Sequence, residues 1–255
     1  MRFTNKLIAA SLVVVALQAS ADITEEETFS FKVASNANFS IDNINGDIEI
    51  TGGGGDTIEV IAIKKADNQK AMDRIEILID ANRNSVEIET DLNKGEKSWF
   101  NWGSGNGASV SYRVALPSTV SLDSVDSVNG DVTVSNVSAE VNVDTVNGDI
   151  DVSGLADDAD LDTVNGKIRV SFTIFEGHQR ASCDTVNGSI QVYLPENASA
   201  SVNAETLNGS MKGGDFDLEI NKGRFIGRDM RGSIGAGSAR LNLDTINGNI
   251  KVAMN

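Results

Sequence analysis

Apart from Asn106-Gly107, seven Asn-Gly pairs, beginning at Asn45, Asn129, Asn147, Asn165, Asn187, Asn208 and Asn247, punctuate the 255-residue chain. Each follows Ile, Val or Leu, and an apolar side chain comes two residues after each glycine. From Asn129 onward the steps are 18, 18, 22, 21 and 39 residues, and the last is divided by a degenerate copy, Asp229-Met230-Arg231-Gly232. Self-similarity at such a period is the mark of stacked repeats, in which one unit cannot bury its apolar face without its neighbours.

The units 131–148 and 149–166 state the plan most plainly. In the first, Val132 and Val134 alternate, Val137 follows a Ser-Asn corner, Val141 and Val143 alternate again, and Val146 precedes the next Asn-Gly. Val143 and Val146 are three apart, so both face inward only if the chain bends near Asp144-Thr145. Three short sides with corners between them describe one coil of an all-β solenoid, a parallel β-helix, expected to be right-handed. The rival is an antiparallel meander, since Asn-Gly between alternating strands is also a strong hairpin signal. Stacking is the better account of identical corners. Coils about 4.8 Å apart would bring Asn129, Asn147, Asn165, Asn187, Asn208 and Asn247 into one amide ladder, each asparagine pairing above and below. Glycine would supply the positive φ of the corner. On this plan Asn165 lies inside the ladder and Asn247 near its end.

The N-terminal part is less regular and is expected to include antiparallel strands. Residues 28–34 alternate, a four-glycine turn at 52–55 leads into the strand 57–63, and residues 68–73 can form one helical turn. Residues 74–80 and 85–91 read as a hairpin. Pro117 and Pro195 each mark the exit of a strand, because proline cannot donate to a ladder. Residues 94–108 break the pattern, with Trp99, Phe100 and Trp102 set among glycines. They form either a flap over the core or an exposed contact surface. The cluster 222–231 is the one basic stretch, and its Arg224, Arg228 and Arg231 are the other candidate contacts.

Residues 1–21 read as a secretory signal, with Arg2 and Lys6 before an apolar run and Ala19-Ser20-Ala21 at the cleavage site. The expected domains are therefore this signal and a single solenoid over 22–255. The product would be periplasmic, extracellular or at the cell surface, with no membrane-spanning segment after cleavage. Cys183 is the only cysteine, which excludes an intrachain disulfide and suits a small buried side chain. The formal charge is -16, and residues 22–209 carry 12 Lys and Arg against 32 Asp and Glu. A field of that sign disfavours nucleic acid as a partner.

Three residues before every one of the seven asparagines stands an acid: Asp42, Asp126, Asp144, Asp162, Asp184, Glu205 and Asp244. Stacked coils would align them. Either each carboxylate accepts backbone N–H groups at its own bend, as an Asx-turn, or a cation such as calcium is shared along Asp126, Asp144, Asp162 and Asp184. Elsewhere the usual chemistry is missing. The single histidine, His178, suits an exposed corner, and there is no nucleophile elbow, zinc motif or phosphate loop. No cofactor is expected. Recurring carboxylates suit a ladder better than a catalytic pair, although a lyase or glycosidase built on a β-helix is the alternative.

The repeated Val-Asn-Gly-Asp-Ile-x-Val strings, the early Asp47-Ile48-Glu49-Ile50-Thr51-Gly52 and the strands ending in Leu116-Pro117 and Leu194-Pro195 resemble the bacterial putative-adhesin family of unknown function. That family is known for β-strand repeats and is similar to the toast-rack and head-GIN modules of envelope proteins. The resemblance covers residues 30–255. It implies a non-catalytic adhesin or interaction scaffold with an envelope or extracellular protein or glycan as partner, or a component of envelope-stress sensing.

Overall fold

The computed structural model describes residues 22–92, 107–214, 216–222 and 227–255. In chain order the first elements are β1 (Ile23–Lys32), β2 (Asn38–Asn45), β3 (Ile48–Gly53), β4 (Thr57–Ala66), α1 (Gln69–Met72), β5 (Glu76–Ala81), β6 (Ser85–Asp91) and β7 (Ala108–Pro117). The repeats follow as β8 (Ser121–Asn129), β9 (Val132–Ser135), β10 (Val141–Asn147), β11 (Ile150–Leu155), β12 (Ala159–Asn165), β13 (Ile168–Phe172), β14 (Arg180–Asn187) and β15 (Ile190–Leu194). The last are β16 (Ala200–Asn208), β17 (Met211–Lys212), β18 (Glu219–Lys222), β19 (Arg228–Ile234), β20 (Ala239–Asn247) and β21 (Ile250–Met254).

These strands form two sheets around one core. The first has the order β1-β4-β7-β3-β9-β11-β13-β15-β21-β17, and the second β18-β19-β16-β20-β14-β12-β10-β8-β2-β6-β5. Pairing between coils is parallel, as in β10 with β12 and β11 with β13, so the chain is an all-β solenoid and not a meander. Antiparallel pairs lie at the ends: β1 with β4 and β5 with β6 on the N-terminal side, β18 with β19 and β19 with β16 at the other.

Alternation does not break at the end of the second-sheet strand. In β10, Val141, Val143 and Thr145 are buried whereas Val146 is exposed, so the expected bend and inward Val146 are both corrected. The inward place goes to threonine, whose hydroxyl reaches a carbonyl of the neighbouring coil at Thr163, where Oγ1 donates to Gly148 O at 3.2 Å, and at Thr245, where it donates to Gly188 O at 3.1 Å, while Thr145 Oγ1 is buried without a partner. Two sides of the coil are strands; the third is an irregular connection from which Val137 turns inward. Stacked columns then fill the interior. Val132, Ile150, Ile168, Ile190 and Ile250 align in one sheet, and Val125, Val143, Leu161, Cys183 and Leu243 in the other. Cys183 thus serves as a small core hydrophobe, and burial pushes its thiol up.

The corner glycines act by size. Among the seven, only Gly46 has a positive φ, of 114°, which corrects the expected left-handed corner. A Cβ on Gly148, Gly166 or Gly188 would lie 2.0, 1.8 or 1.6 Å from the carbonyl oxygen of the equivalent glycine one coil away. No side chain fits in that gap. Left-handed backbone appears instead at the opposite corner, at Asn136 with φ 57° and Gly154 with φ 73°.

The stack does not follow chain order. The final coil, β20 and β21, inserts between the coil of β14 and β15 and that of β16 and β17. Asp229-Met230-Arg231-Gly232 is no coil at all; it lies in β19, antiparallel to β16. The asparagine side chains follow the spatial order, each amide donating to the preceding Oδ1: Asn129 to Asn45, Asn147 to Asn129, Asn187 to Asn165, Asn247 to Asn187 and Asn208 to Asn247, all at 2.9 Å, and Asn165 to Asn147 at 3.0 Å. Asn247 is therefore interior and Asn208 terminal, the reverse of the expectation, and the ladder is solvent-exposed.

Two stability measurements check this arrangement. Gly166→Ala should cost about 1–3 kcal/mol through overpacking, whereas Gly54→Ala, with open space around it, should be nearly neutral. Asn247→Ala, losing two amide bonds, should cost about 1–2 kcal/mol, and Asn208→Ala, losing one, about half of that. Equal effects in either pair of denaturation curves would refute the stacking account.

Candidate functional site

Strict alternation through the ends of the second-sheet strands decides which side chains reach solvent. The acid and the aliphatic residue two places later point outward, and the threonine between them points in. Because the strands stack in register, each outward position becomes a column. The acids read Glu205, Asp244, Asp184, Asp162, Asp144, Asp126, Asp42 and Glu89, each paired with the next. Beside them runs an aliphatic column in which Val146, Val164, Val186, Leu207 and Ile246 are 37–45% exposed. Together they line a groove of about 1060 Å³ from Asp42 to Arg228 and Asp229. At about 4.8 Å per strand, the six spacings from β2 to β16 make it about 29 Å long.

The acids occupy straight strand, where backbone N–H groups are committed to the ladders. Among the described residues no backbone N–H donates to the carboxylates of Asp126, Asp144, Asp162 or Asp184, so the Asx-turn reading does not hold. Their few partners are side chains: Ser124 Oγ donates to Asp126 at 2.7 Å and Ser182 Oγ to Asp184 at 3.0 Å. The acids that brace corners stand two places after the asparagine. Oδ1 of Asp47, Asp131 and Asp149 accepts the backbone N–H of Asp131, Asp149 and Lys167 in the next coil, at 3.0, 2.8 and 2.7 Å. Their place just past each Asn-Gly was the available signal for them.

Electrostatic strain gathers at the middle of the column. Partial burial, then Asp184, Asp160 and Asp144, push Asp162 up to about 6, and its Oδ1 is buried with no hydrogen-bond partner. Asp144 is raised by burial and by Asp126 and Asp160, and Asp244 by burial and by Asp184 and Glu205. Asp42 is raised by burial, Asp126 and Glu89. For Asp184, burial and Asp160 outweigh the opposing hydrogen bond from Ser182. Among the described residues no three His, Cys, Asp or Glu side chains converge as a metal site would require; the acids are spread one per strand.

The basic cluster meets the end of the column. Arg231 pairs with Glu205 at 3.3 Å and with Asp229 at 3.6 Å, while Arg228 donates to the carbonyl of Gly209 and closes the groove. Trp99, Phe100, Trp102 and Arg224 lie outside the described residues. His178 is exposed, in the connection before β14.

The raised carboxyls set a pH dependence. A group that ionises at higher pH in the fold than in the unfolded chain binds more protons when folded. Its contribution is therefore fully present below the ordinary value of 3.8 and is lost as pH rises through about 6. Melting temperature should fall over that window. Asp162→Asn should flatten the fall and, after allowance for solvent screening of a half-exposed group, add about 1 kcal/mol at pH 7. An unchanged profile in the variant would show that the column is relaxed by solvent.

Comparison with known proteins bears on the fold. Residues 39–253 match the family described as Toastrack DUF4097, and no curated protein matches the chain. A putative cell adhesion protein from Clostridium sporogenes is similar at 15% identity, covering 91% of this chain and all of its own, with a TM-score of 0.47. A putative adhesin from Bacteroides fragilis is 14% identical, covering 89% of this chain and 97% of its own, with a TM-score of 0.36. A putative lipid binding protein from Parabacteroides distasonis is 12% identical, covering 90% and 96%, with a TM-score of 0.30. Superpositions this loose carry no functional argument. The family match spans most of the sequence, and the chain belongs to the Toastrack DUF4097 family.

Proposed function

We propose that this protein is an exported, non-catalytic interaction module, an adhesin-like scaffold, and that it engages its partner through the groove on the second sheet. One observation carries the reading: an aliphatic column and an acidic column run side by side over the outer face of a rigid parallel sheet. Exposed aliphatic side chains in continuous rows are costly on a free surface and mark contact sites. Regular strands hold them without any ordering on binding. The carboxylates recur with the same neighbours in successive coils, which suits recognition of an extended partner more than a single reacting bond. Among the described residues no helix is long and apolar enough to cross a membrane, and export rests on residues 1–21.

A second reading has its own observation. Asp162, raised to about 6, stands one strand from Asp144 and Asp184, a spacing of about 4.8 Å, close to the roughly 5–5.5 Å separation of the carboxyl pair in retaining glycosidases.

Binding of the labelled protein to bacterial envelope fractions, with a glycan turnover assay in parallel, separates the two. The expected outcome is saturable binding, weakened about tenfold by Val164→Ser with Val186→Ser, and no turnover. Hydrolysis abolished by Asp162→Asn would establish the enzyme instead, and binding indifferent to the valine changes would move the contact away from the groove.

A further inference from the structure

The groove pairs two chemistries in a fixed geometry, and that geometry points to one occupant. We infer that it takes an extended, cationic amphipathic polypeptide, with Lys or Arg side chains alternating with aliphatic ones, lying along the stack across the strands. This rests on the interaction-module reading and specifies its partner.

The acidic and aliphatic columns are two residues apart along each strand, about 6.6 Å. An extended peptide lying between them sends successive side chains to opposite sides, one set over the acids and the other over Val146, Val164, Val186 and Ile246. The repeats are nearly commensurate. Three two-residue periods of the peptide cover about 20 Å and four strand spacings about 19 Å, so over the length of the groove each cation stays within about 2 Å, measured along the stack, of an acid in the column.

Charge favours the same class. Glu205, Asp244, Asp184, Asp162, Asp144, Asp126 and Asp42 form an unbroken line, and the whole chain carries -16. Such a line repels a second copy of this protein and any phosphate headgroup. The protein already offers cations to the end of this line: β19 sets Arg231 against Glu205 at 3.3 Å and brings Arg228 into the groove lining. Farther along, from Asp244 to Asp126, the described residues include no basic partner within ion-pair distance, and Asp162 keeps a buried oxygen without a donor. A bound ammonium or guanidinium in the groove would offset the charge of that carboxylate, which lines it. Coulomb attraction at several neighbouring sites then adds to burial of the aliphatic row.

Short blocked peptides of four Lys-Val, four Lys-Ser or four Glu-Val repeats, titrated into the full-length protein by calorimetry, test the inference. The Lys-Val peptide should bind, weaken as salt rises, and lose about tenfold or more in affinity for the variant carrying Asp144→Asn, Asp162→Asn and Asp184→Asn. Val164→Ser with Val186→Ser should weaken it about tenfold as well, and both variants, changed only at outward positions, should melt cooperatively. Lys-Ser should bind about tenfold more weakly and Glu-Val not at all. Lys-Val binding that is absent, equal to Lys-Ser, or unchanged in the triple variant would overturn the inference. If groove variants lose envelope binding while Lys-Val fails to bind the wild type, only the partner chemistry falls; if they retain it, the groove itself is the wrong surface.

Discussion

Parallel stacking at one strand spacing per coil is the constraint on which everything else in this protein depends. It brings each residue within contact of its own equivalent, so a position succeeds only if its side chain tolerates a copy of itself at about 4.8 Å. Aliphatic residues meet that condition by packing, asparagine by exchanging amide hydrogen bonds, and threonine by reaching a neighbouring carbonyl. The corner glycines meet it by having no side chain, since their carbonyl oxygens approach to where a Cβ would stand.

Carboxylate is the residue type that meets the condition worst. Like charges directly opposite one another destabilise a sheet, and the structure spreads little compensation along the column beyond Ser124, Ser182 and, at the end, Arg231. An acid row kept on a straight strand, beside exposed aliphatics and without bends to brace, is a local conflict of the kind that concentrates at functional surfaces. The acids at Asp47, Asp131 and Asp149 make the contrast: same charge, same repeat, but each is tied to a backbone N–H of the next coil.

Open sheet edges are the liability of a solenoid, and both ends are managed by reversing strand direction. On one side β4 lies antiparallel to β7 and carries β1 outside it, and β5 lies antiparallel to β6; on the other, β19 lies antiparallel across β16 and carries β18 outside it. The excursion over 213–238 that builds this cap sends the chain back to insert its last coil inside the stack. The cap thereby also sets the boundary of the groove, because Arg228 and Asp229 belong to it.

The sequence alone determined the solenoid, the asparagine ladder, the first hairpin, the turn of helix at Gln69 and the acidic alignment, because each follows from a local period or a local turn. It misplaced Val146. An apolar pattern places valine inward across a bend at Asp144-Thr145, whereas unbroken alternation from Val141 places the threonine there; its hydroxyl is satisfied only by a carbonyl in another coil, which no local pattern reveals. Coil order was illegible for a related reason. The corners are so alike that Asn187 accepts Asn247 as readily as its successor in the chain, so order was decided by where the cap leaves the returning strand. The groove likewise needed the tertiary structure, since columns from distant coils become one surface only after stacking, and the burial that lifts Asp162 exists only there.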